Sequence, residues 1–215
     1  MSFLNKILIS LNIYDIILLV SLIVTSFFKF RGYKSLPYLF YFILVITFME
    51  VFLQVYWAKV FKSNHFIYVL ICMISISYYF YVYYQYFKSK HWSIVILVAY
   101  FVWLLSAFYF YNFNIYSKGI VSEPYFIGLT IIFILIFKYA YDILYLDGLR
   151  KIEKEPLLYF SLGILFFCVS SFTHILFIKD LVQNENIHPR IGVLLSLTNN
   201  FLSLGYLGAA LCSKK

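Results

Sequence analysis

Charged side chains are scarce in this sequence. Only 12% of its 215 residues are Asp, Glu, Lys or Arg, and 64% are apolar, whereas soluble domains have about 25% charged and about 45–50% apolar residues. The mean hydropathy, +0.89, is correspondingly high. This composition excludes an ordinary water-soluble domain and predicts a polytopic membrane protein.

Cysteine and histidine are also few. Cys72, Cys168 and Cys212 fall inside or at the end of apolar stretches and predict no disulfide framework. His174 is the one histidine within an apolar stretch, and H-E-x-x-H, G-x-S-x-G and clustered carboxylates are absent. Intramembrane hydrolysis needs a nucleophile with a base, or converging metal ligands. We therefore predict no enzyme activity, no metal site and no cofactor.

Long apolar runs are abundant instead. A helix needs about 20 apolar residues to cross the membrane, whereas barrel strands are about ten residues long with alternating polarity. We predict an all-α fold in which residues 1–215 form one domain, a seven-transmembrane-helix bundle with a retained first helix. The predicted spans are 7–28, 36–58, 65–87, 92–112, 124–146, 157–178 and 193–212.

The basic residues predict the orientation of the bundle. Ten Lys and Arg fall on one side of the predicted spans and six on the other, and the richer side is expected to be cytoplasmic. This places the N-terminus outside and the C-terminus inside. The net charge of +8 is scattered over short loops and forms no continuous patch, so we predict no nucleic-acid partner.

A carboxylate interrupts the apolar stretch TFMEVFLQVYW, residues 47 to 57. Thr47, Glu50 and Gln54 recur at spacings of three and four, which places them on one face of helix 2, in its outer half. An ionisable group near the membrane centre costs about 2.5–3.5 kcal/mol on insertion scales, so it normally faces the bundle interior or a wet cavity.

Other predicted helices carry polar residues at the same depth. Together they predict a polar pocket that opens outward and binds a ligand through Asp15, Glu50, Gln54, His174, Asn199 and Asn200. A second interpretation stays open, because amides and hydroxyls within spans also make interhelical hydrogen bonds that only hold a bundle together. This holds for Asn12 as well, and His174 could be a hydrogen-bonded residue near the membrane surface.

Lys138 and Asp142 are four residues apart in predicted helix 5. This spacing brings side chains together on a helix, and we predict a structural ion pair. A retinal-binding role for Lys138 is excluded, because seven-helix rhodopsins carry that lysine in the last helix and residues 193–212 contain none.

A transporter is the main alternative. Seven spans with an outside N-terminus would fit a three-plus-one-plus-three parallel repeat. Aligning Pro37 with Pro156 sets LPYLFYF over EPLLYFS, but Glu50 then falls opposite Val169 and the similarity fades. Pro37, Pro124 and Pro156 lie at span entrances and predict no broken helices. A structural subunit of a membrane complex is a further alternative.

Three segments carry a resemblance. EPLLYFSLGILFF, LSLTNNFLSLGYLGAAL and TFMEVFLQ resemble a group of small seven-span proteins from Bacteroidota. Glu50, Pro156, Gly163 and Asn200 are the positions that match its short, apolar motifs. The resemblance implies a sensory or accessory membrane module of the kind encoded near sensor kinases or response regulators.

We therefore expect a receptor-like or accessory module in the bacterial inner membrane, a multi-pass protein that binds a small or lipidic ligand. The loops are too short for a catalytic output domain, so a signal would leave through a membrane or cytoplasmic protein partner. A homo-oligomer stays open.

Overall fold

A computed structural model describes the backbone of most of the chain. The described residues are 13–32, 36–53, 56, 65–87, 89–114, 123–145, 155–183 and 188–212. The side chains at 65, 111–114, 173–183 and 188–195 lie outside the described part.

The described residues form seven α-helices and one π-helical segment. The helices are α1 (Ile13–Phe30), α2 (Leu39–Thr47), α3 (His65–Tyr86), α4 (Lys90–Asn114), α5 (Glu123–Tyr145), α6 (Pro156–Gln183) and α7 (His188–Leu211). The π segment, Phe48–Leu53, directly continues α2. The predicted all-α fold is confirmed, and each helix lies within or close to one of the predicted apolar spans.

Four helices are long and apolar enough to cross a membrane. Within the described residues these are Ile13–Phe30, Phe66–Tyr86, Lys90–Phe110 and Glu123–Tyr145. The stretches Leu39–Leu53 and Pro156–Phe172 are shorter apolar helices. Large apolar side chains also point outward, such as Leu105 at 69% exposed. Soluble monomers rarely expose extensive apolar surface, so these helices indicate a membrane protein.

The contacts of the chain fall into two compact units. Unit 1 is Met1–Ile71 with Leu149–Lys215, and unit 2 is Cys72–Gly148. Unit 1 thus contains α1, α2, the π segment, α6 and α7, while α4, α5 and most of α3 belong to unit 2. The single domain over residues 1–215 stays a prediction.

In unit 1, α7 packs against both α6 and α1, and α1 packs against α2. The crossing of α6 and α7 is centred on Gly163 and Gly205. A Cβ atom on Gly205 would lie 2.8 Å from the Cα of Gly163 and 2.9 Å from the carbonyl oxygen of Tyr159. Neither backbone atom can rotate away, so only glycine permits this approach, as is common where membrane helices meet.

The π segment departs from the continuous helix predicted over residues 36–58. Regular α-helix ends at Thr47, and Phe48–Leu53 adopts the wider π geometry. The segment FMEVFL contains neither Pro nor Gly, so no local helix breaker accounts for the change. Prolines at span entrances predicted unbroken helices, but α2 changes its hydrogen-bonding pattern without one.

In unit 2, the indole of Trp103 on α4 fills a space that α5 leaves open. Trp103 is 1% exposed, and its Nε1 donates a hydrogen bond to the carbonyl oxygen of Pro124 at 2.9 Å. A Cβ atom on Gly128 would lie 2.7 Å from that Nε1 and 2.7 Å from the Cδ1 of Ile76. The absence of a side chain at Gly128 therefore makes room for the tryptophan.

Candidate functional site

Glu50 lies in the middle of the π segment of unit 1 and is half-buried. Asp15, also half-buried, lies in the first turn of α1, the helix that packs against α2. Both carboxylates therefore belong to unit 1. Single π turns occur frequently at functional sites, which makes Glu50 a candidate site residue.

Three side-chain oxygens of unit 1 are buried without a hydrogen-bond partner among the described residues: Thr47 Oγ1, Ser170 Oγ and Asn200 Oδ1. Thr47 is 2% and Ser170 is 4% exposed. Leaving such a group unpaired costs about 1–3 kcal/mol. Buried polar groups in native proteins are almost always paired, so three such oxygens in one unit identify it as a candidate binding site.

The packing of α6 against α7 determines how far apart Ser170 and Asn200 lie along the helices. The rings of Phe160 and Tyr206 are 5.8 Å apart and those of Phe166 and Phe201 are 5.1 Å apart, so the two helices are antiparallel. Ser170 is four residues beyond Phe166, and Asn200 is one residue before Phe201. At about 1.5 Å per residue, their heights differ by about 5 Å.

Other hydroxyl groups of unit 1 donate hydrogen bonds to carbonyl oxygens of their own helices. Ser21 Oγ donates to the carbonyl oxygen of Ile17 at 2.8 Å, and Thr25 Oγ1 donates to that of Ser21 at 2.7 Å. Ser203 Oγ donates to the carbonyl oxygen of Asn200 at 3.0 Å. Such local bonds to preceding carbonyls are the usual solution for Ser and Thr in helices. Thr47 and Ser170 differ from these residues, because their hydroxyls make no such bond among the described residues.

Several predicted site residues are not described in enough detail to place them. Asn12 and Gln54 lie outside the described residues, and His174 lies on α6 with its side chain outside the described part. Asn199 is half-buried on α7. A pocket shared by Glu50, Asn200 and His174 stays a prediction.

In unit 2, Lys138 and Asp142 form an ion pair one helical turn apart on α5. Their side chains are 22% and 12% exposed. The Lys138 ammonium also lies near three aromatic rings, 5.2 Å from the Trp92 centroid, 5.5 Å from that of Tyr141 and 5.9 Å from that of Phe87. Cation–π contacts of this length are attractive. The positive charge of Lys138 is therefore balanced by the Asp142 carboxylate and also held by the aromatic rings.

The sequence predicted the ion pair but not the aromatic rings around Lys138. Tyr141 follows Lys138 by three residues, so helical spacing could have predicted its contact with Lys138. Phe87 and Trp92 flank the short connection between α3 and α4, and their contact with Lys138 depends on how α5 packs. Among the described residues, no group of three or more His, Cys, Asp or Glu is placed to hold a metal ion.

Comparison with known proteins identifies no relative. We find no significant match between this chain and any protein-family model, curated protein or solved structure. The resemblance to seven-span proteins of Bacteroidota therefore stays a prediction, and the functional argument depends on the geometry of the described residues.

Proposed function

We propose that this chain is a seven-span protein of the bacterial inner membrane that binds a small or lipidic ligand in unit 1 and signals through a partner protein. All seven helices cross the membrane, with the N-terminus outside and the C-terminus in the cytoplasm. The protein has no enzyme activity of its own. Its binding site is the polar layer formed by Asp15, Thr47, Glu50, Ser170 and Asn200.

The observation that carries this proposal is the buried hydroxyl of Thr47, which has no hydrogen-bond partner among the described residues and lies three residues before Glu50, where α2 changes into a π-helix. A polar group without a partner costs more in a membrane than at a protein surface, because no bulk water can replace the missing bond. A ligand that hydrogen-bonds to these oxygens would remove that cost. A binding role therefore explains these buried oxygens better than a contribution to stability does.

Transport is the second candidate, and one observation favours it. Many transporters bind their substrate where a membrane helix departs from regular geometry, and α2 departs from it at Phe48–Leu53, the segment that contains Glu50. The same site would then release its ligand on both sides of the membrane. Only a receptor or accessory module requires a partner.

Binding and transport can be tested with the purified chain. A library of metabolites and lipids is screened for compounds that raise its unfolding temperature in lipid nanodiscs. Each compound that does so is tested again on Asn200→Leu and on Ser26→Ala, a control whose hydroxyl donates to the carbonyl oxygen of Leu22. We expect stabilisation of the wild type and the control, and its loss in Asn200→Leu.

Flux measurements separate the two candidates. The compounds that bind are loaded outside liposomes that contain the protein, and their uptake is followed. A receptor or accessory module binds without uptake, whereas saturable uptake above that of empty liposomes favours the transporter. Equal stabilisation of wild type and Asn200→Leu by every compound would count against a site in unit 1.

A further inference from the structure

We infer that the C-terminal end of α1 binds the headgroup of an anionic phospholipid through the positive charges of Lys29 and Arg31. The headgroup surface consists of these two cations and the aromatic rings that they contact, Phe27, Phe40 and Tyr41. It lies apart from the polar layer of the proposed ligand site, because Glu50 is nine residues beyond Tyr41, about 13 Å along α2. The inference therefore goes beyond the proposed function.

The sequence FKFRG, residues 28 to 32, ends α1 and carries both cations. The backbone N–H of Arg31 donates to the carbonyl oxygen of Phe27 at 3.2 Å, and that of Gly32 donates to the carbonyl oxygen of Lys29 at 3.0 Å. Gly32 has a φ of +75°, a left-handed conformation that commonly ends helices at glycine. Positive side chains are favoured at this negative end of the helix dipole.

Both cations contact aromatic rings at the surface of unit 1. The Lys29 ammonium lies 3.6 Å from the ring centroid of Tyr41 and 4.4 Å from that of Phe40, both on α2. The guanidinium carbon of Arg31 lies 4.2 Å from the ring centroid of Phe27. Such contacts are attractive, and both cations are nevertheless exposed. The rings therefore hold the two charges in place while leaving them accessible to a partner.

No carboxylate balances these two charges among the described residues. The sequence from residue 16 to residue 49 contains no Asp or Glu, and the ion pair of the described part of the chain joins Lys138 to Asp142 in unit 2. Lys29 and Arg31 therefore form an exposed positive surface, and an anion is the partner that complements it.

The exposed rings around this surface indicate that the anion belongs to a lipid. Phe27, Phe30, Tyr38 and Tyr41 are exposed at the end of the membrane-spanning helix α1 and the start of α2. Tyrosines are enriched at the level of the lipid headgroups, and Lys and Arg near helix ends reach the same level. A phospholipid satisfies both features, because its phosphate meets the cations and its acyl chains cover the apolar rings. A free anion would satisfy only the charges.

Two lipids with the same acyl chains test the inference on the full-length protein. Dioleoyl-phosphatidylglycerol and dioleoyl-phosphatidylcholine are titrated onto the protein in an uncharged detergent, and native mass spectrometry measures the apparent affinity for the first bound lipid. Each Lys or Arg near an anionic lipid surface contributes about fivefold in affinity. We therefore expect phosphatidylglycerol to bind at least about tenfold more tightly than phosphatidylcholine.

Two pairs of variants separate this surface from a general attraction between basic residues and anionic lipid. Lys29→Gln should reduce the preference for phosphatidylglycerol about fivefold, whereas Lys90→Gln, at an exposed lysine that begins α4 in unit 2, should leave it nearly unchanged. Tyr41→Leu keeps both charges but removes the ring nearest to the Lys29 ammonium, and should reduce the preference about two- to fivefold. Its control is Tyr145→Leu, at an exposed tyrosine of α5.

A comparison with inorganic phosphate distinguishes a lipid headgroup from a free anion. Sodium phosphate and sodium chloride at equal ionic strength should give equal unfolding temperatures, whereas phosphatidylglycerol should raise the unfolding temperature above that in phosphatidylcholine. Stabilisation by phosphate as strong as by phosphatidylglycerol would overturn the inference. Equal wild-type affinity for the two lipids, or equal losses in Lys29→Gln and Lys90→Gln, would overturn it as well. None of these measurements depends on Asn200, so the proposed ligand site is tested separately.

Discussion

The Lys138 ammonium forms an ion pair with the Asp142 carboxylate on the same face of α5, and the same ammonium lies 5.2 Å from the ring centroid of Trp92. The pair is partly buried, so its contribution lies between the ~0–1 kcal/mol of exposed ion pairs and the ~3–5 kcal/mol lost when one partner of a buried pair is removed.

We expect Lys138→Met to lower the unfolding free energy by about 1–3 kcal/mol, because the buried Asp142 carboxylate loses its partner. The double variant Lys138→Met/Asp142→Leu should regain part of that loss. Thermal unfolding in detergent measures all three variants, including Asp142→Leu alone. Independent, additive losses would show that the two side chains do not stabilise each other.

Gly205→Ala should destabilise the protein by about 1–3 kcal/mol, since the new methyl group would meet backbone atoms of α6 at less than 3 Å and force the helices apart. Leu204→Ala is the matched control, because Leu204 is 46% exposed on the same helix. We expect it to change the unfolding temperature much less. Similar losses for both substitutions would contradict the close crossing of α6 and α7.

Thr47→Val and Thr25→Val should affect the stability of the protein differently in the absence of ligand. At residue 47, valine removes a buried hydroxyl for which the described part of the chain offers no hydrogen-bond partner, so stability should stay level or rise by about 1 kcal/mol. At residue 25 the same substitution removes a hydroxyl that donates to the Ser21 carbonyl oxygen, so stability should fall slightly. A larger loss for Thr47→Val would reveal a partner for its hydroxyl and remove the observation that carries the proposed function.

The C-terminus should face the cytoplasm, as the excess of Lys and Arg on that side predicts. A C-terminal fusion to alkaline phosphatase should be inactive, because that enzyme folds only after export, and a C-terminal fusion to green fluorescent protein should fluoresce. An active phosphatase fusion would reverse the predicted orientation and, with it, the outward position of the Glu50 site.

Some of the site was predictable because it depends on neighbours along the chain. Lys138 and Asp142 meet through helical spacing alone, and Glu50 was recognisable as a carboxylate in an apolar stretch. The rings of Phe87 and Trp92 around Lys138 were not predictable, since they come from other segments. The π segment was missed for a related reason, because FMEVFL carries no Pro or Gly to signal it.

The sequence by itself determined that this is an all-helical chain with helices suited to a membrane, because the length and polarity of an apolar run are local properties. Only the tertiary structure decided where helices touch. The contact of Gly163 with Gly205, the place of Trp103 over Gly128 and the burial of the Thr47 and Ser170 hydroxyls depend on which faces meet. Lipid solvates every apolar face alike, so hydrophobicity does not select among them, and side-chain shape and hydrogen bonding make that choice.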